Sequence, residues 1–158
     1  MHDSPRALAD EYAVIRAITE LARAQDDRDW RRFQDAFTDE ILISVPSLPE
    51  PREMRTADYL PFARRALEGY DVTHHQVTNH VVEVAGDRAV AGADLRAVHQ
   101  LAVDGEPREL TVGGRYRFVL VNERGGWRIR ERSLTVRYML GDPAVAERAR
   151  QRFDEANA

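Results

Sequence analysis

The chain has 158 residues, 43 % of them hydrophobic and 32 % charged, with a net charge of −4, and we expect one globular domain over residues 1–158. Cysteine and lysine are absent and all 23 basic residues are arginine, which excludes disulfides, thiolate nucleophiles and lysine Schiff bases. Acidic residues are interspersed with the arginines, no apolar run approaches a membrane span and the first residues do not resemble a signal peptide, so we expect a cytoplasmic protein that binds neither nucleic acid nor membrane.

Helical patterns occupy the start of the chain. Asp3 or Ser4 can cap a helix that has Pro5 in its first turn and continues to about Ala24. Apolar residues at helical spacing predict its buried face, which is formed by Leu8, Tyr12, Ile15, Ile18, Leu21 and Ala22. Asp29 is expected to cap a short second helix that carries three aromatic residues, Trp30, Phe33 and Phe37.

Strand patterns dominate the rest of the chain. A brief strand over 41–45 and an irregular proline-rich loop over 46–51 precede a helix that runs from Thr56 or Asp58 to Gly69. Asp142-Pro143 opens a last amphipathic helix, and between these helices four strand-like runs cover 72–84, 88–103, 108–122 and 126–138. This order predicts an α+β fold in which a curved, mostly antiparallel sheet wraps around the N-terminal helices, with a C-terminal helix.

Two of the predicted strands carry a histidine on the inner face. His99 shares one side of its strand with an otherwise apolar row whose small residues would leave room for a cavity: Ala91, Ala93, Leu95, Ala97 and Leu101. His75 begins a second row that continues with Val77, Asn79 and Val81. A row of mixed polarity is typical of a cavity wall, because a buried polar group must find partners. Taken alone, either histidine is also compatible with a hydrogen-bonded structural role.

Asp26 follows the first helix in an acidic stretch with Asp27 and Asp29. Considered locally, this stretch is a solvated loop that ends in a helix cap. A carboxylate beside an imidazole, with a second imidazole across a pocket, is an arrangement suited to proton transfer. If the fold brings Asp26, His75 and His99 to one cavity, this combination predicts a small acid–base enzyme.

Five motifs occur in a characteristic order: Asp26-Asp27-Arg28-Asp29-Trp30, Phe37-Thr38-Asp39-Glu40, Thr73-His74-His75-Gln76-Val77-Thr78-Asn79, Ala97-Val98-His99-Gln100, and the strand pair Gly113-Gly114-Arg115-Tyr116-Arg117 and Gly125-Gly126-Trp127-Arg128-Ile129. In this order and spacing they resemble the NTF2-like superfamily, in its SnoaL-like and scytalone-dehydratase-like branch, over nearly the whole chain. The resemblance implies a cone-shaped NTF2-like fold and an activity that requires neither a cofactor nor a metal. It also implies a homodimer or homotrimer formed through the outer sheet face.

The same resemblance implies a role for each of the three residues. Asp26 would accept the Nδ1 proton of His75, and the other nitrogen of His75 would remove a proton next to a carbonyl group. His99 would protonate a leaving hydroxyl or hold the carbonyl oxygen. The implied activity is that of a cofactor-free dehydratase, isomerase or cyclase acting on a small hydrophobic cyclic or polyketide-like carbonyl compound.

The chain departs from scytalone dehydratase at the positions that contact its substrate. Gln25 and Val45 stand where that enzyme has two tyrosines, and Gly114 and Tyr116 stand where it has a serine and an asparagine. Scytalone itself is therefore not the expected substrate. The predicted substrate-contact residues are Tyr116, Asn79 and Tyr59.

Two other functions remain open on the sequence alone. A non-catalytic ligand-binding or structural-subunit protein could share the fold, since fold does not determine function. A metal enzyme is the second alternative, because two histidines and an aspartate are ligand types of a facial triad. Coupling of Asp26 to His75 inside an accessible cavity would separate the enzyme from the first alternative, and metal analysis would test the second.

Overall fold

Four helices and six strands form the part of the chain that the computed structural model describes, residues 4–158. The helices are α1 (Pro5–Asp27), α2 (Trp30–Asp35), α3 (Thr56–Leu67) and α4 (Ala144–Ala156). The strands are β1 (Phe37–Ser44), β2 (Arg52–Arg55), β3 (Val72–Ala85), β4 (Arg88–Val103), β5 (Glu106–Glu123) and β6 (Gly126–Gly141). None of the helices within 4–158 is long and apolar enough to cross a membrane.

The six strands form one curved sheet in the order β2-β1-β6-β5-β4-β3. Every pairing is antiparallel except that of β1 with β6, which is parallel. The four long strands follow one another as a meander, and the predicted α+β class with a mostly antiparallel sheet is confirmed. Strand β2 was not predicted, because its sequence, Arg-Glu-Met-Arg, has too little apolar character to distinguish it from the preceding loop.

Helix α1 begins where the sequence indicates. The Ser4 hydroxyl accepts a hydrogen bond from the Ala7 N–H at 3.2 Å, and the alternative cap, Asp3, lies outside the described residues. The predicted buried face is wrong at Leu8 and Tyr12, which are 58 % and 65 % exposed. Each helical residue advances the side-chain direction by 100°, so Tyr12 lies about 120° around the helix from the buried Ile18.

The main core lies between the helices and the inner face of the sheet. The alternation predicted for β4 is confirmed, since Ala91 through Leu101 are buried at every second position. A correction concerns Phe37: helix α2 ends at Asp35, and Phe37 instead begins β1, where it is buried. A second, smaller core lies under α4 and consists of Tyr70, Leu101, Leu110, Val145 and Ala149.

Gly69 allows α4 to approach the sheet closely. A Cβ at this position would lie 1.8 Å from the Ala149 carbonyl oxygen, so no side chain fits there. The approach matters for the inner face of the sheet, because it holds Tyr70 against the ring of His99, with ring centroids 4.8 Å apart.

A β-bulge divides β3 into two parts that face opposite ways. The register against β4 shifts between Thr78 and Val81, and Asn79 has a positive φ of 54°. His75 and Val77 face inward as predicted, but beyond the bulge the alternation reverses. Val81 is therefore 68 % exposed, and its predicted inward position is wrong.

Candidate active site

The inner face of the sheet and the helices border a cavity of about 150 Å³. Its wall is mostly apolar but includes seven polar side chains: Gln25, Ser47, Tyr59, His75, His99, Tyr116 and Arg132. A larger groove of about 480 Å³ lies along β2, but it is lined mainly by charged residues and by no histidine of the described chain. The cavity that both histidines line is therefore the candidate site.

Asp26 and His75 form a hydrogen-bonded pair at one end of this cavity. Asp26 lies in the last turn of α1 and His75 on β3. The Nδ1–H of His75 donates to Asp26 Oδ1 at 2.6 Å, and the His75 backbone N–H donates to Oδ2 at 2.8 Å. Because an ionised carboxylate only accepts hydrogen bonds, the ring proton must sit on Nδ1. The other nitrogen, Nε2, carries a lone pair and has no hydrogen-bond partner among residues 4–158.

Two residues that the sequence analysis did not select hold Asp26 in place. The Thr73 hydroxyl donates to Asp26 Oδ1 at 3.1 Å and accepts from Arg28 Nη1 at 2.7 Å. Arg28 is the left-handed C-cap of α1, and the same nitrogen donates to the Gln25 carbonyl at 2.6 Å. Thr73 could have been found from the sequence, because it lies two residues before His75 and so on the same face of β3.

The surroundings of Asp26 and His75 shift both pKa values in the direction that suits a general base. Burial acts to raise the pKa of Asp26, but the hydrogen bonds from His75 outweigh it and lower the pKa below the ordinary value. Burial lowers the pKa of His75, and the hydrogen bond to Asp26 offsets this only in part. At neutral pH the pair is therefore an ionised carboxylate beside a neutral imidazole.

His99 lies on β4 beside His75, with ring centroids 5.8 Å apart at 81°. Its Nδ1–H donates to the Leu110 carbonyl at 3.2 Å. Burial, reinforced by the proximity of His75, lowers the pKa of His99 to about 4. Neutral His99 thus presents an unprotonated Nε2 as an acceptor, which differs from the donor role that the resemblance implies.

Arg132 is the polar residue of the cavity that the sequence analysis missed. It is only 7 % exposed, its Nη2–H donates to the Tyr116 hydroxyl at 2.8 Å, and its Nη1 lies 3.5 Å from the Tyr59 hydroxyl. The guanidinium carbon lies 5.0 Å from the centroid of the Tyr116 ring. Within residues 4–158, no carboxylate lies within 4 Å of Arg132, and its Nε has no hydrogen-bond partner.

Strand alternation alone assigns Arg132 to the wrong face. Trp127 and Ile129 are buried on β6, so simple alternation would turn residue 132 outward. The register against β5 shifts at this point, because Val119 pairs with Glu131 whereas Leu120 pairs with Ile129. One extra residue is inserted in β6, and the alternation reverses.

Of the three predicted substrate-contact residues, two lie on the inner face of the sheet or beside it and one lies on the outer face. Tyr116 and Tyr59 line the cavity. Asn79 does not, and this part of the prediction is wrong. It sits in the β3 bulge, is exposed, and donates from Nδ2 to Asp94 Oδ2 at 2.9 Å on the outer face. Among the residues that the structure describes, no three His, Asp or Glu side chains are grouped so as to hold a metal ion.

Comparisons with known proteins identify a family and several solved structures that this chain resembles. The family model described as the SnoaL-like domain matches residues 6–133. No protein with a curated description matches the chain significantly. Among solved structures, the Kfla4162 protein from Kribbella flavida is 28 % identical, with a TM-score of 0.80 over 91 % of this chain and 99 % of that one.

Two further solved structures share the fold at lower identity. A provisionally assigned scytalone dehydratase from Novosphingobium aromaticivorans is 16 % identical, with a TM-score of 0.75 over 85 % of this chain and 89 % of that chain. The hexachlorocyclohexane dehydrochlorinase LinA-type3 from Novosphingobium barchaimii is also 16 % identical, with a TM-score of 0.70 over 86 % and 92 %. The predicted NTF2-like architecture is confirmed.

Proposed function

We propose that this chain, which belongs to the SnoaL-like domain family, is a cofactor-free acid–base enzyme. Its reaction would be that of a dehydratase, isomerase or cyclase on a small hydrophobic cyclic or polyketide-like carbonyl compound. One observation carries the proposal: the Asp26–His75 pair leaves an unprotonated imidazole nitrogen, without a hydrogen-bond partner among residues 4–158, in a mostly apolar cavity.

His75 is the proposed base. Its Nε2 removes a proton from the carbon next to the carbonyl group, and the electron pair of the broken C–H bond moves to the carbonyl oxygen as an enolate forms. Asp26 stabilises the imidazolium that results and keeps the ring in the required tautomer. A well-placed general base typically contributes about 10²–10⁴-fold to the rate.

His99 has a positioning role in this proposal. Its unprotonated Nε2 accepts a hydrogen bond from a substrate hydroxyl, so it orients the ring of the substrate beside His75. Two of the solved structures with this fold support an elimination or a related reaction, since their names are those of a dehydratase and a dehydrochlorinase.

Solvent exchange at carbon tests the proposal without knowledge of the natural substrate. The protein is incubated in D₂O with a panel of one-ring ketones, both neutral and carboxylate-bearing, and deuterium incorporation next to the carbonyl is followed by NMR. We expect His75→Ala to reduce the enzymatic exchange rate by at least about 10²-fold, whereas His74→Ala, at the neighbouring exposed position, should leave it unchanged. Absence of exchange across the panel, with His75 titrating identically in Asp26→Asn, would favour the ligand-binding or structural-subunit alternative.

Self-association through the outer sheet face, as a homodimer or homotrimer, is also part of the proposal. The last part of β6 exposes large apolar side chains: Val136, Tyr138, Met139 and Leu140. In the described part of the chain β1 pairs with β6 only as far as Ser133, which leaves this stretch uncovered on one edge. Sedimentation equilibrium of the wild-type protein would show a monomer if this part of the proposal is wrong.

A further inference from the structure

The charge of Arg132 has no counter-ion in the part of the chain that the structure describes. A buried guanidinium loses its hydration, and proteins normally compensate the loss with a carboxylate partner. The groups around Arg132 are the hydroxyls of Tyr59 and Tyr116, which are neutral hydrogen-bond partners. Burial raises the pKa of Tyr59, which keeps this hydroxyl protonated at neutral pH.

The carboxylate of Asp26, which is bound to His75, is already engaged. Asp26 accepts hydrogen bonds from His75 and Thr73, and the cation of Arg28 acts on its charge. Asp26 and Arg28 offset each other, and both histidines are neutral at pH 7. The cavity therefore carries one positive charge in excess, located at Arg132.

Hydrogen-bond donors and acceptors are segregated across the cavity. On β5 and β6, Tyr116 accepts from Arg132, so its own hydroxyl proton is free to be donated, and Arg132 Nη1 is held only by a long contact of 3.5 Å to the Tyr59 hydroxyl. On β3 and β4, His75 and His99 present only lone pairs at Nε2. A ligand that satisfies both sides needs a strong acceptor at one end and a donor at the other.

We propose that Arg132 and Tyr116 bind an anionic oxygen of the substrate, so that the substrate is a one-ring organic anion rather than a neutral ketone. This inference rests on the proposed function, because it specifies the substrate class of the same cavity. The size limit follows from the volume: a cavity of about 150 Å³ holds a ligand the size of benzene. A carboxylate or an acidic enol or phenol would supply the oxygen.

The arrangement also fits the proton-transfer step. When His75 removes a proton next to a carboxylate, the electron pair of the C–H bond forms a C=C bond and that of the C=O bond moves onto oxygen, which gives an ene-diolate with a second negative charge. If Arg132 holds that oxygen, the developing charge meets a preorganised cation, whereas a phenolate or enolate oxygen, already anionic, would serve only to anchor the substrate. With a carboxylate substrate, Arg132 would stabilise the ionised product of the step as well as bind the substrate.

Ligand binding tests the inference independently of turnover. Benzoate and benzyl alcohol have the same ring and nearly the same size but differ in charge, and their affinities at pH 7.5 and low salt can be compared by NMR titration. We expect benzoate to bind wild-type protein at least about tenfold more tightly, and Arg132→Gln to abolish the preference. Arg117 lies on the outer face of β5, 3.6 Å from Glu131. The variant Arg117→Gln removes the same charge there and should retain the preference for benzoate.

Further ligands and variants distinguish the outcomes. If 4-nitrophenolate is preferred over 4-nitrotoluene, in which a methyl group of similar size replaces the oxygen, while benzoate is not preferred, the oxygen is phenolic or enolic rather than a carboxylate. Should Arg132→Gln fail to fold, Arg132→Lys keeps the charge and should keep a weaker preference. Equal affinity of wild-type protein for the charged and neutral members of both pairs overturns the inference, whether or not the variants fold.

Failure of the proposed function gives a different pattern. The preference for anions should persist in His75→Ala, because binding does not require the base. If the preference is present but no deuterium exchange is found, the anion site stands and the proposed enzyme does not. If exchange is found without the preference, only the inference about Arg132 fails.

Discussion

Asp26→Asn should invert the tautomer of His75. The backbone N–H of His75 can only donate, so the amide oxygen of Asn must face it, in the place of Oδ2. The amide NH₂ group then faces Nδ1, which must accept instead of donate. The ring proton moves to Nε2, and the free base nitrogen is lost.

The expected magnitude follows from that inversion. Loss of a correctly oriented base reduces the rate by about 10²–10⁴-fold, and we expect this loss in the deuterium-exchange assay. The protein should stay folded, because the amide still accepts the His75 N–H; the free energy of unfolding should fall by about 1–3 kcal/mol for the imperfect hydrogen bonds. Ring ¹⁵N chemical shifts measure the tautomer directly.

Asp27→Asn is the matched control for this prediction. Asp27 is the next residue in the chain and is exposed, with its carboxylate 3.6 Å from Arg32. The substitution Asp27→Asn should leave both the tautomer of His75 and the exchange rate unchanged. If His75 in Asp26→Asn still carries its proton on Nδ1 and the rate falls less than tenfold, the reasoning about the pair is refuted.

Three further perturbations test other parts of the structure. Arg132→Met removes a buried cation that lacks a carboxylate partner among residues 4–158, and should raise the free energy of unfolding by about 1–3 kcal/mol in urea titration; a decrease would show that the tyrosine contacts outweigh the desolvation. The pKa of His99 is lowered to about 4 in the folded state, so below pH 6.5 the unfolded chain binds more protons than the folded protein. Acidification to pH 4 should therefore lower the free energy of unfolding by about 3 kcal/mol through His99. The variant His99→Gln should lack this loss of stability, whereas His74→Gln should show it. Gly69→Ala forces a Cβ into the α4 backbone and should lower the thermal midpoint by several degrees, for a cost of about 3 kcal/mol, whereas Gly126→Ala, with open space around it, should have a small effect.

The alternation of strand residues predicted most of the inner face and failed at two places. Along β4 the spacing of two holds without interruption, and His99 lies where that spacing places it. In β3 and β6 a single inserted residue reverses the alternation, so Asn79 turns outward and Arg132 turns inward. An asparagine tolerates the positive φ that a bulge can require, but Asn79 alone does not distinguish a bulge from a regular strand position.

The pairing of Asp26 with His75 illustrates a different limit. Local sequence favours a solvated acidic loop at Asp26, because helix ends are commonly polar and the carboxylate is followed by a helix cap. Its actual environment is decided by packing of α1 on β3, which brings together residues 49 positions apart. Only the family resemblance, which carries tertiary information, pointed to that contact.

Strand β3 is the last strand on its side of the sheet within residues 4–158, so one row of its backbone groups has no partner strand there. Free edges of this kind are templates for intermolecular β-pairing and aggregation. The Asp26 carboxylate occupies one such edge donor, the N–H of His75, and α1 covers the edge beside it. An acceptor at position 26 is therefore expected to hinder edge-to-edge pairing at His75, independently of any role in proton transfer.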